Sequence, residues 1–336
     1  MRGPSRSALL PALFLPVLSA CAHGEPFAAD DFNTRVPFAA TEPARLTLSP
    51  DPDLAPVWLP DGEGFVYSYA RIDTPEGDRC LGVLPRTGGQ RTREICRWTP
   101  EDADSIEALD FAAVSRGGRI AYVRTVAPLF NEDALRRSIV AGTLDDPSGG
   151  AVVRTIPFTT PDGAFITSVG ELHWAGESRL VFTAVSTETI IPCPGCDAVA
   201  IQVPAGIAVL EADGSGTVAL LAGTGDVTAL TTDGDGSLLL ARAGDTRIFR
   251  RELGTGEEAV VHDAGASISF LDAAGGRLLA QVPGGLHIVD LSSGAATDVG
   301  APLLSRPALH PEGTAVVGEI TDTATFNIDI WRLTIP

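Results

Sequence analysis

Hydrophobic and polar residues alternate along the chain in short runs, and turns rich in Gly, Pro and Asp separate the runs. In APVWLPDGEGFVYSYA, one run ends at Trp58 and a Pro-Asp-Gly turn follows at 60–62. The next run alternates the aromatic residues Phe65, Tyr67 and Tyr69. Residues two apart share one face of a β-strand, and Pro followed by Gly favours a tight turn. The stretch therefore predicts two antiparallel strands joined by that turn.

Two further runs, RCLGVLP and RTREIC, flank a Thr-Gly-Gly turn at 87–89 and complete a four-stranded meander. The same order of strands and turns recurs along the chain, with first turns near Gly62, Gly117, Glu177, Gly234, Gly275 and Glu312. A meander of this size cannot bury both of its faces alone, so neighbouring copies must stack. The repeats predict an all-β fold, a six-bladed β-propeller of four-stranded antiparallel blades. The alternative is an irregular β-sandwich.

The sixth unit reaches the end of the chain with only three predicted strands. A ring of blades must close, because an unpaired sheet edge is prone to aggregation. The segment 35–49 precedes the first unit, and Leu46 and Leu48 alternate within it. We therefore expect residues 44–48 to supply the missing outer strand of the last blade.

Some of these repeats resemble a known family. PVWLPDG at 56–62 is similar to the P-x-W-S-P-D-G repeat of TolB-type, WD40-like propellers, with Leu59 where Ser is usual. PALHPEG at 307–313 is a weaker copy, and NIDIW and GLHIVDLSSG resemble that family's third strand and the turn after it. The resemblance covers roughly residues 45 to 335 and implies a six-bladed propeller carried on a bacterial envelope protein.

The N-terminus predicts export. Arg2 and Arg6 precede a short apolar run at 8–17, which is too short to span a bilayer. Leu-Ser-Ala-Cys at 18–21 resembles the bacterial lipobox, whose cysteine is lipidated after cleavage. That resemblance implies lipidation of Cys21, and Ala22 after it implies sorting to the outer membrane. An ordinary secretory signal is the alternative.

The chain thus divides into a signal peptide at 1–20, a lipidated tether at 21–43 and a propeller domain at 44–336. The membrane is contacted through the lipid anchor only. The formal charge is −19, and all 24 basic residues are Arg. A negative field of this size argues against nucleic acid as a partner.

Four cysteines remain beyond the lipobox, an even number in an exported chain. Cys80 and Cys96 flank the turn centred on Gly88 at equal distances, so a hairpin places them opposite each other and within disulfide range. Cys193 and Cys196 form a C-x-x-C sequence. It is open to three interpretations: a small structural disulfide, which we favour, half of a zinc site, or a redox dithiol.

Other candidate chemistry is weak. Asp233 and Asp235 fit positions three and five of a calcium loop, but Arg242 stands where the loop needs Glu, which favours a solvated turn. His173 and His310 are single histidines, more typical of packing than of catalysis. The sequence contains no G-x-S-x-G nucleophile motif, phosphate loop or H-E-x-x-H motif. We assign no catalytic residue, metal ligand or cofactor.

These features favour a lipid-anchored cell-envelope propeller that acts as a binding or scaffold module for a protein or glycan partner. The alternative is a hydrolase of glycans or peptides, with carboxylates at the propeller mouth. A structural envelope protein is a third possibility. Convergence of Asp or Glu side chains at the central channel would favour the enzyme.

Overall fold

The fold is described here from a computed structural model, which covers residues 43–49, 51–70, 78–96, 105–128, 135–146, 150–191, 193, 197–300, 304–322 and 327–335. All regular secondary structure in these ranges is β-strand. The signal peptide, Cys21, the tether before Pro43 and Cys196 lie outside the described residues. The predictions made for them stay predictions.

The described strands are, in chain order, β1 (Ala44–Arg45), β2 (Leu54–Trp58), β3 (Gly64–Ala70), β4 (Arg79–Pro85), β5 (Arg93–Ile95), β6 (Ser105–Val114), β7 (Arg119–Pro128), β8 (Arg136–Thr143), β9 (Ala151–Ile156), β10 (Phe158–Thr159), β11 (Phe165–Ala175), β12 (Arg179–Ile190), β13 (Val199–Glu211), β14 (Ala219–Leu220), β15 (Val227–Thr232), β16 (Leu238–Arg242), β17 (Arg247–Arg251), β18 (Glu258–Asp263), β19 (Phe270–Ala274), β20 (Arg277–Val282), β21 (Gly285–Asp290), β22 (Ala296–Val299), β23 (Ser305–Leu309), β24 (Ala315–Thr321) and β25 (Ile328–Thr334).

Antiparallel pairing sorts these strands into six groups: β2–β5, β6–β9, β10–β14, β15–β18, β19–β22, and β23–β25 with β1. The first two groups form one eight-stranded sheet through a single parallel pair, Arg79 with Ala108. Strands β2, β6, β11, β15, β19 and β23 contact one another in a closed cycle. They are the innermost strands of a ring, so the predicted β-propeller is confirmed. The six groups match the six sequence units, and we number them blades 1 to 6 in that order.

The N-terminal strand closes the ring. β1 pairs antiparallel with β25, placing Arg45 opposite Trp331. The backbone N–H of Leu46 donates a hydrogen bond to the carbonyl oxygen of Ile330 at 2.8 Å. The Leu46 side chain is only 2% exposed and packs in a core cluster with aromatic side chains of blade 1. The expected donor strand is therefore present.

The expected alternation in this strand is wrong at Leu48, which is half-buried. Thr47 is buried instead, directly after Leu46. Its hydroxyl accepts a hydrogen bond from the backbone N–H of Ile330 at 2.9 Å. Because this bond turns the Thr47 side chain inward, two consecutive residues face the protein and the two-residue period ends there.

The Trp and turn motif joins one blade to the next. Gly62 has a φ of 70°, which the tight turn after Trp58 requires. The Trp58 indole is buried in blade 1, and its Nε1 donates to the carbonyl oxygen of Ala308 in blade 6 at 3.0 Å. Trp174 of blade 3 donates in the same way to Ala113 of blade 2 at 3.1 Å. In blades 1 and 3 the indole before the turn therefore connects adjacent blades.

Candidate ligand site in the central channel

A cavity of about 1150 Å³ lies where the innermost strands face one another. Every blade contributes to its lining, which includes Ala55, Phe111, Glu171, Thr228, Asp272 and Arg306, one from each blade in order. Ligand sites are usually concave and are lined by apolar surface with a few polar groups. This channel is therefore the candidate functional site.

Irregularities in the innermost strands set the channel surface. Register shifts interrupt the pairing of five of the six innermost strands with their neighbours, all except β19. Three non-glycine residues within these shifts have positive φ: Ala55 at 51°, Phe111 at 52° and Arg306 at 46°. Such bulges redirect side chains, and the backbone conformation costs on the order of 1 kcal/mol or more at each residue. In the described part of the chain, all non-glycine residues with positive φ line this one cavity.

Carboxylates at the channel bind backbone N–H groups of the next blade. The N–H of Leu230 donates to Oε2 of Glu171 at 3.2 Å. In the same way, the N–H of Leu309 donates to Oδ2 of Asp272 at 2.6 Å. Each bond runs between consecutive blades, 3 to 4 and 5 to 6. These two acids therefore hold adjacent innermost strands together.

Glu319 makes the corresponding connection where the ring closes. It lies on β24 and accepts a hydrogen bond at Oε1 from the backbone N–H of Ala55 at 2.6 Å. This bond joins blade 6 to blade 1. Burial raises the pKa of Glu319, and its bond with Ala55 and the charge of Arg306 lower that pKa.

Two of the channel acids hold protons more tightly than usual. Burial raises the pKa of Glu171 to about 7, against the pull of its Leu230 bond and of Arg306, while the charge of Asp272 adds to the rise. Burial also raises the pKa of Asp272 to about 6, although backbone bonds with Leu309 and Ala273 oppose it. The channel therefore carries less negative charge at neutral pH than its acids would give in water.

The lining contains two arginines, Arg116 and Arg306, and Arg116 pairs with Asp235 at 2.9 Å. Arg306 is the unpaired cation of this surface. Its side chain is exposed, and its guanidinium carbon lies 4.8 Å from the centroid of the Phe111 ring. No salt bridge forms between Arg306 and a carboxylate within the described ranges. The cation stacks on an aromatic ring and stays open to solvent on the channel side.

His173, which the sequence singles out, lines the same cavity. Its Nε2 is buried and has no hydrogen-bond partner among the described residues. Burial lowers the pKa of His173 to about 4, so the imidazole is neutral at pH 7. A neutral imidazole offers one donor and one acceptor rather than a charge.

The other histidine, His310, belongs to the junction between blades 6 and 1. Its Nε2 lies 3.1 Å from the carbonyl oxygen of Gly62, and its ring lies edge-to-face against Trp58 at 4.6 Å between centroids. These contacts give His310 a packing role at this junction. A Cβ at Gly62 would lie only 2.4 Å from that ring, which is a second reason for glycine in this turn.

The acidic turn of blade 4 binds arginine side chains. Asp235 pairs with Arg116 at 2.9 Å, and Asp233 pairs with Arg250 at 2.7 Å. Arg242, at the position where a calcium loop needs Glu, pairs with Asp226 and Glu258. Among the described residues, no group of three or more metal-binding side chains comes together.

The described cysteines, Cys80, Cys96 and Cys193, are not part of the channel lining. Cys80 and Cys96 form a disulfide with their Cα atoms 4.9 Å apart. Next to them Leu81 pairs with Ile95, which is the register predicted from the turn. Cys193 is exposed and disulfide-bonded, but its proposed partner Cys196 is outside the described residues.

Sequence reasoning missed the channel residues other than His173. Ala55, Phe111 and Arg306 each stand three residues before the residue that ends the regular pairing with the second strand, as Ala55 does before Trp58. Glu171 stands three residues before Trp174, and the pairing there runs one residue further, to Ala175. Alignment of the units on their first turns would have brought these four positions to within one residue of one another. The residue type at this position differs from blade to blade, so the sequence shows no repeated residue there.

Comparison with solved structures supports the fold. The chain is similar to a gluconolactonase from Xanthomonas campestris, with 15% identity over 88% of this chain and 95% of that one and a TM-score of 0.52. The WD40 repeats of RRP9 match with 10% identity over 89% and 98% and a TM-score of 0.50. TolB from Acinetobacter baumannii matches with 15% identity over 84% and 63% and a TM-score of 0.46.

The structural neighbours therefore include WD40 and TolB β-propellers. At these identities a likeness shows the fold alone. Neither a family model nor a curated protein matches the sequence. The described residues contain no helix of the length and apolar character that crossing a membrane requires.

Proposed function

We propose that this chain is a lipid-anchored β-propeller of the cell envelope that acts as a binding or scaffold module for a protein or glycan partner, through its central channel. One observation carries the proposal: the channel is open, and its acids are engaged in bonds between blades. Glu171 and Asp272 each accept a backbone N–H of the next blade. Arg306 remains exposed beside them.

A hydrolase is the second candidate, and one observation favours it. A general acid works best when its pKa lies near the working pH, and the pKa of Glu171 is about 7. Asp272, with a pKa of about 6, lines the same cavity. In this alternative Glu171 donates a proton to the leaving group of a glycan or peptide, and Asp272 acts as the base or nucleophile.

The binding function is favoured because both carboxylates already accept hydrogen bonds that join adjacent blades. A glycosidase pair must approach the substrate or a water molecule. Here Oδ2 of Asp272 lies 2.6 Å from the N–H of Leu309, so movement towards a substrate would break a bond between blades. The likeness to a gluconolactonase rests on the fold and assigns no reaction.

The cellular address is also part of the proposal. Lipidation of Cys21 would hold the exported protein at the envelope, with outer-membrane sorting implied by Ala22. We expect Cys21→Ser to release the protein from membranes or to stop its processing, as measured by fractionation and by labelling with a palmitate analogue. Unchanged fractionation and labelling would contradict the anchor.

A channel-blocking variant tests the binding function. Thr228 is exposed and lines the channel, so Thr228→Trp should fill part of the cavity. Thr297 is exposed on the outermost strand of blade 5, so Thr297→Trp is the matched control. The measurement is pull-down from detergent-solubilised envelopes and binding to an array of envelope glycans. We expect Thr228→Trp to lose the partner that the wild type and Thr297→Trp retain. Equal retention by all three would contradict binding through the channel.

A further inference from the structure

We infer that the channel binds a small carboxylate-bearing ligand of the sugar-acid class, with its carboxylate on the guanidinium of Arg306. The inference rests on the proposed binding function and names a ligand class for it. The supporting observation is that residues of blades 6, 1 and 2 together hold the guanidinium of Arg306 at the channel surface.

The backbone at Arg306 is strained. Its φ is 46°, and it precedes Pro307, which further narrows the backbone conformations open to it. The backbone conformation costs stability for an arginine, whereas Gly or Asn fits this position with less strain. The bulge in β23 therefore lowers the stability of the fold, and it places the guanidinium of Arg306 in the channel.

The aromatic support of Arg306 is strained too. Phe111 has a φ of 52° and belongs to blade 2, two blades round the ring from Arg306 in blade 6. Ala55, with a φ of 51°, stands at the matching position of the blade between them. All three residues line the cavity, and the guanidinium carbon of Arg306 lies 4.8 Å from the centroid of the Phe111 ring. Three backbone distortions thus converge on one cation, and strain of this kind collects at functional sites.

The charges around Arg306 leave its guanidinium available. Glu171 and Glu319 interact electrostatically with Arg306, because the charge of Arg306 lowers the pKa of both. Yet each carboxylate accepts a backbone N–H from the next blade, and neither forms a salt bridge with Arg306. Guanidinium binds carboxylate through two parallel N–H···O bonds. The exposed guanidinium of Arg306 can therefore bind the carboxylate of a ligand in this way.

The net charge favours a singly charged ligand. Arg306 is the one unpaired positive charge of the described lining, since the charge of Arg116 is matched by Asp235, and the acids of the same surface belong to a chain with a formal charge of −19. A doubly charged phosphate would need a second unpaired cation, while a carboxylate matches the single unpaired guanidinium. The rest of the lining supplies neutral polar groups: the exposed Thr228 and Ser269 and the unpartnered Nε2 of His173. Hydroxyl and imidazole groups of this kind can form hydrogen bonds with the hydroxyls of a sugar ring.

Matched ligands and matched arginine variants test the assignment. The probes are glucuronate and galacturonate, each with its neutral hexose, together with glucose 6-phosphate. Binding to the full-length protein is measured by isothermal titration calorimetry and by saturation-transfer NMR. Arg306→Asn removes the cation and suits a positive φ, so the fold should persist. The control is Arg247→Asn, because Arg247 is exposed on β17 outside the channel lining.

We expect at least one hexuronate to bind about tenfold or more tightly than its hexose and than glucose 6-phosphate, and Arg306→Asn to lose that margin. Arg247→Asn should keep it. Equal affinity for the uronate and the hexose would overturn the inference, as would preference for the phosphate or equal loss in both variants. If no uronate binds while Thr228→Trp still abolishes partner capture, the ligand class is wrong and the binding function stands. If uronate binds through Arg306 but Thr228→Trp captures partners normally, the ligand site stands and the partner function fails.

Discussion

The guanidinium of Arg45 lies 2.6 Å from Oδ2 of Asp329, joining the first described strand to the last. The Asp329 side chain is 2% exposed, while that of Arg45 is 35% exposed. Burial raises the pKa of Asp329, and its hydrogen bond and ion pair with Arg45 lower that pKa. Ring closure therefore combines backbone pairing, the apolar contact of Leu46 and a partly buried ion pair.

Removal of Arg45 should weaken this closure. In Arg45→Gln, Asp329 stays buried without its cation, so the free energy of unfolding should fall by about 2 kcal/mol. The double variant Arg45→Gln with Asp329→Asn removes the buried charge and should recover part of the loss. Urea denaturation of the wild type, both single variants and the double variant measures the coupling. If the two single substitutions changed the free energy of unfolding additively in the double variant, the Arg45–Asp329 pair would make no specific contribution to stability.

The two leucines of the N-terminal segment should differ in their effect on stability. Leu46→Ala leaves a cavity in the blade 1 core and should cost about 2–4 kcal/mol. Leu48→Ala removes a half-buried side chain and should cost less than about 1 kcal/mol. Calorimetric melting of the two variants gives the comparison. Deletion of residues 22–34 should leave the melting temperature close to that of the wild type, whereas deletion of 35–49 should lower it sharply. A larger effect at Leu48 than at Leu46 would mean that a different strand closes the ring.

The sequence could predict ring closure because a physical constraint stands behind it. A sixth unit with three strands needs a donor, and few unassigned residues alternate in the right way. The pairing of Cys80 with Cys96 could be predicted for a similar reason, since a short hairpin fixes its own register. Leu48 could not be predicted correctly, because the bond between Thr47 and Ile330 depends on a partner far away in the chain.

The channel surface was hidden from sequence reasoning for a related reason. Arg306 and Phe111 come together only because the ring brings blades 6 and 2 to one axis. Neither residue belongs to a motif, and positive φ is unexpected for both. No motif in GELHWAG singles out Glu171, and its hydrogen bond with the backbone N–H of Leu230 forms only when the adjacent blade is in place.

The two cysteine pairs should contribute unequally to stability. The Cys80–Cys96 disulfide closes a loop with a sequence separation of 16, and its removal should cost about 3 kcal/mol. We expect Cys80→Ala with Cys96→Ala to lower the melting temperature more than Cys193→Ala with Cys196→Ala, because Cys193 is exposed. Non-reducing mass mapping of the wild type should find Cys193 joined to Cys196. Free thiols at 193 and 196, or a stoichiometric metal, would contradict the structural disulfide there.

The raised pKa of Glu171 predicts a specific dependence of stability on pH. Its ordinary pKa is 4.5 and its folded-state pKa is about 7, so between these values the folded state holds a proton that the unfolded state has lost. The contribution of Glu171 to stability is therefore complete below pH 4.5 and is lost as the pH rises through 7. Glu171→Gln keeps an oxygen acceptor for the N–H of Leu230 and cannot ionise. Relative to the wild type, it should gain about 2 kcal/mol in the free energy of unfolding between pH 5 and pH 8.

Two companion variants test the assignment to Glu171 by urea denaturation across this pH range. Asp272→Asn should show a change of the same sign but smaller size, because the pKa of Asp272 rises only to about 6. In the Arg306→Asn background, the stability change linked to Glu171 should move to higher pH, since the charge of Arg306 lowers the pKa of Glu171. If the stability difference between Glu171→Gln and the wild type stayed constant from pH 5 to 8, Glu171 would titrate alike in the folded and unfolded states. The channel would then hold an ordinary carboxylate beside Arg306, and that guanidinium would have a competing anion within the site.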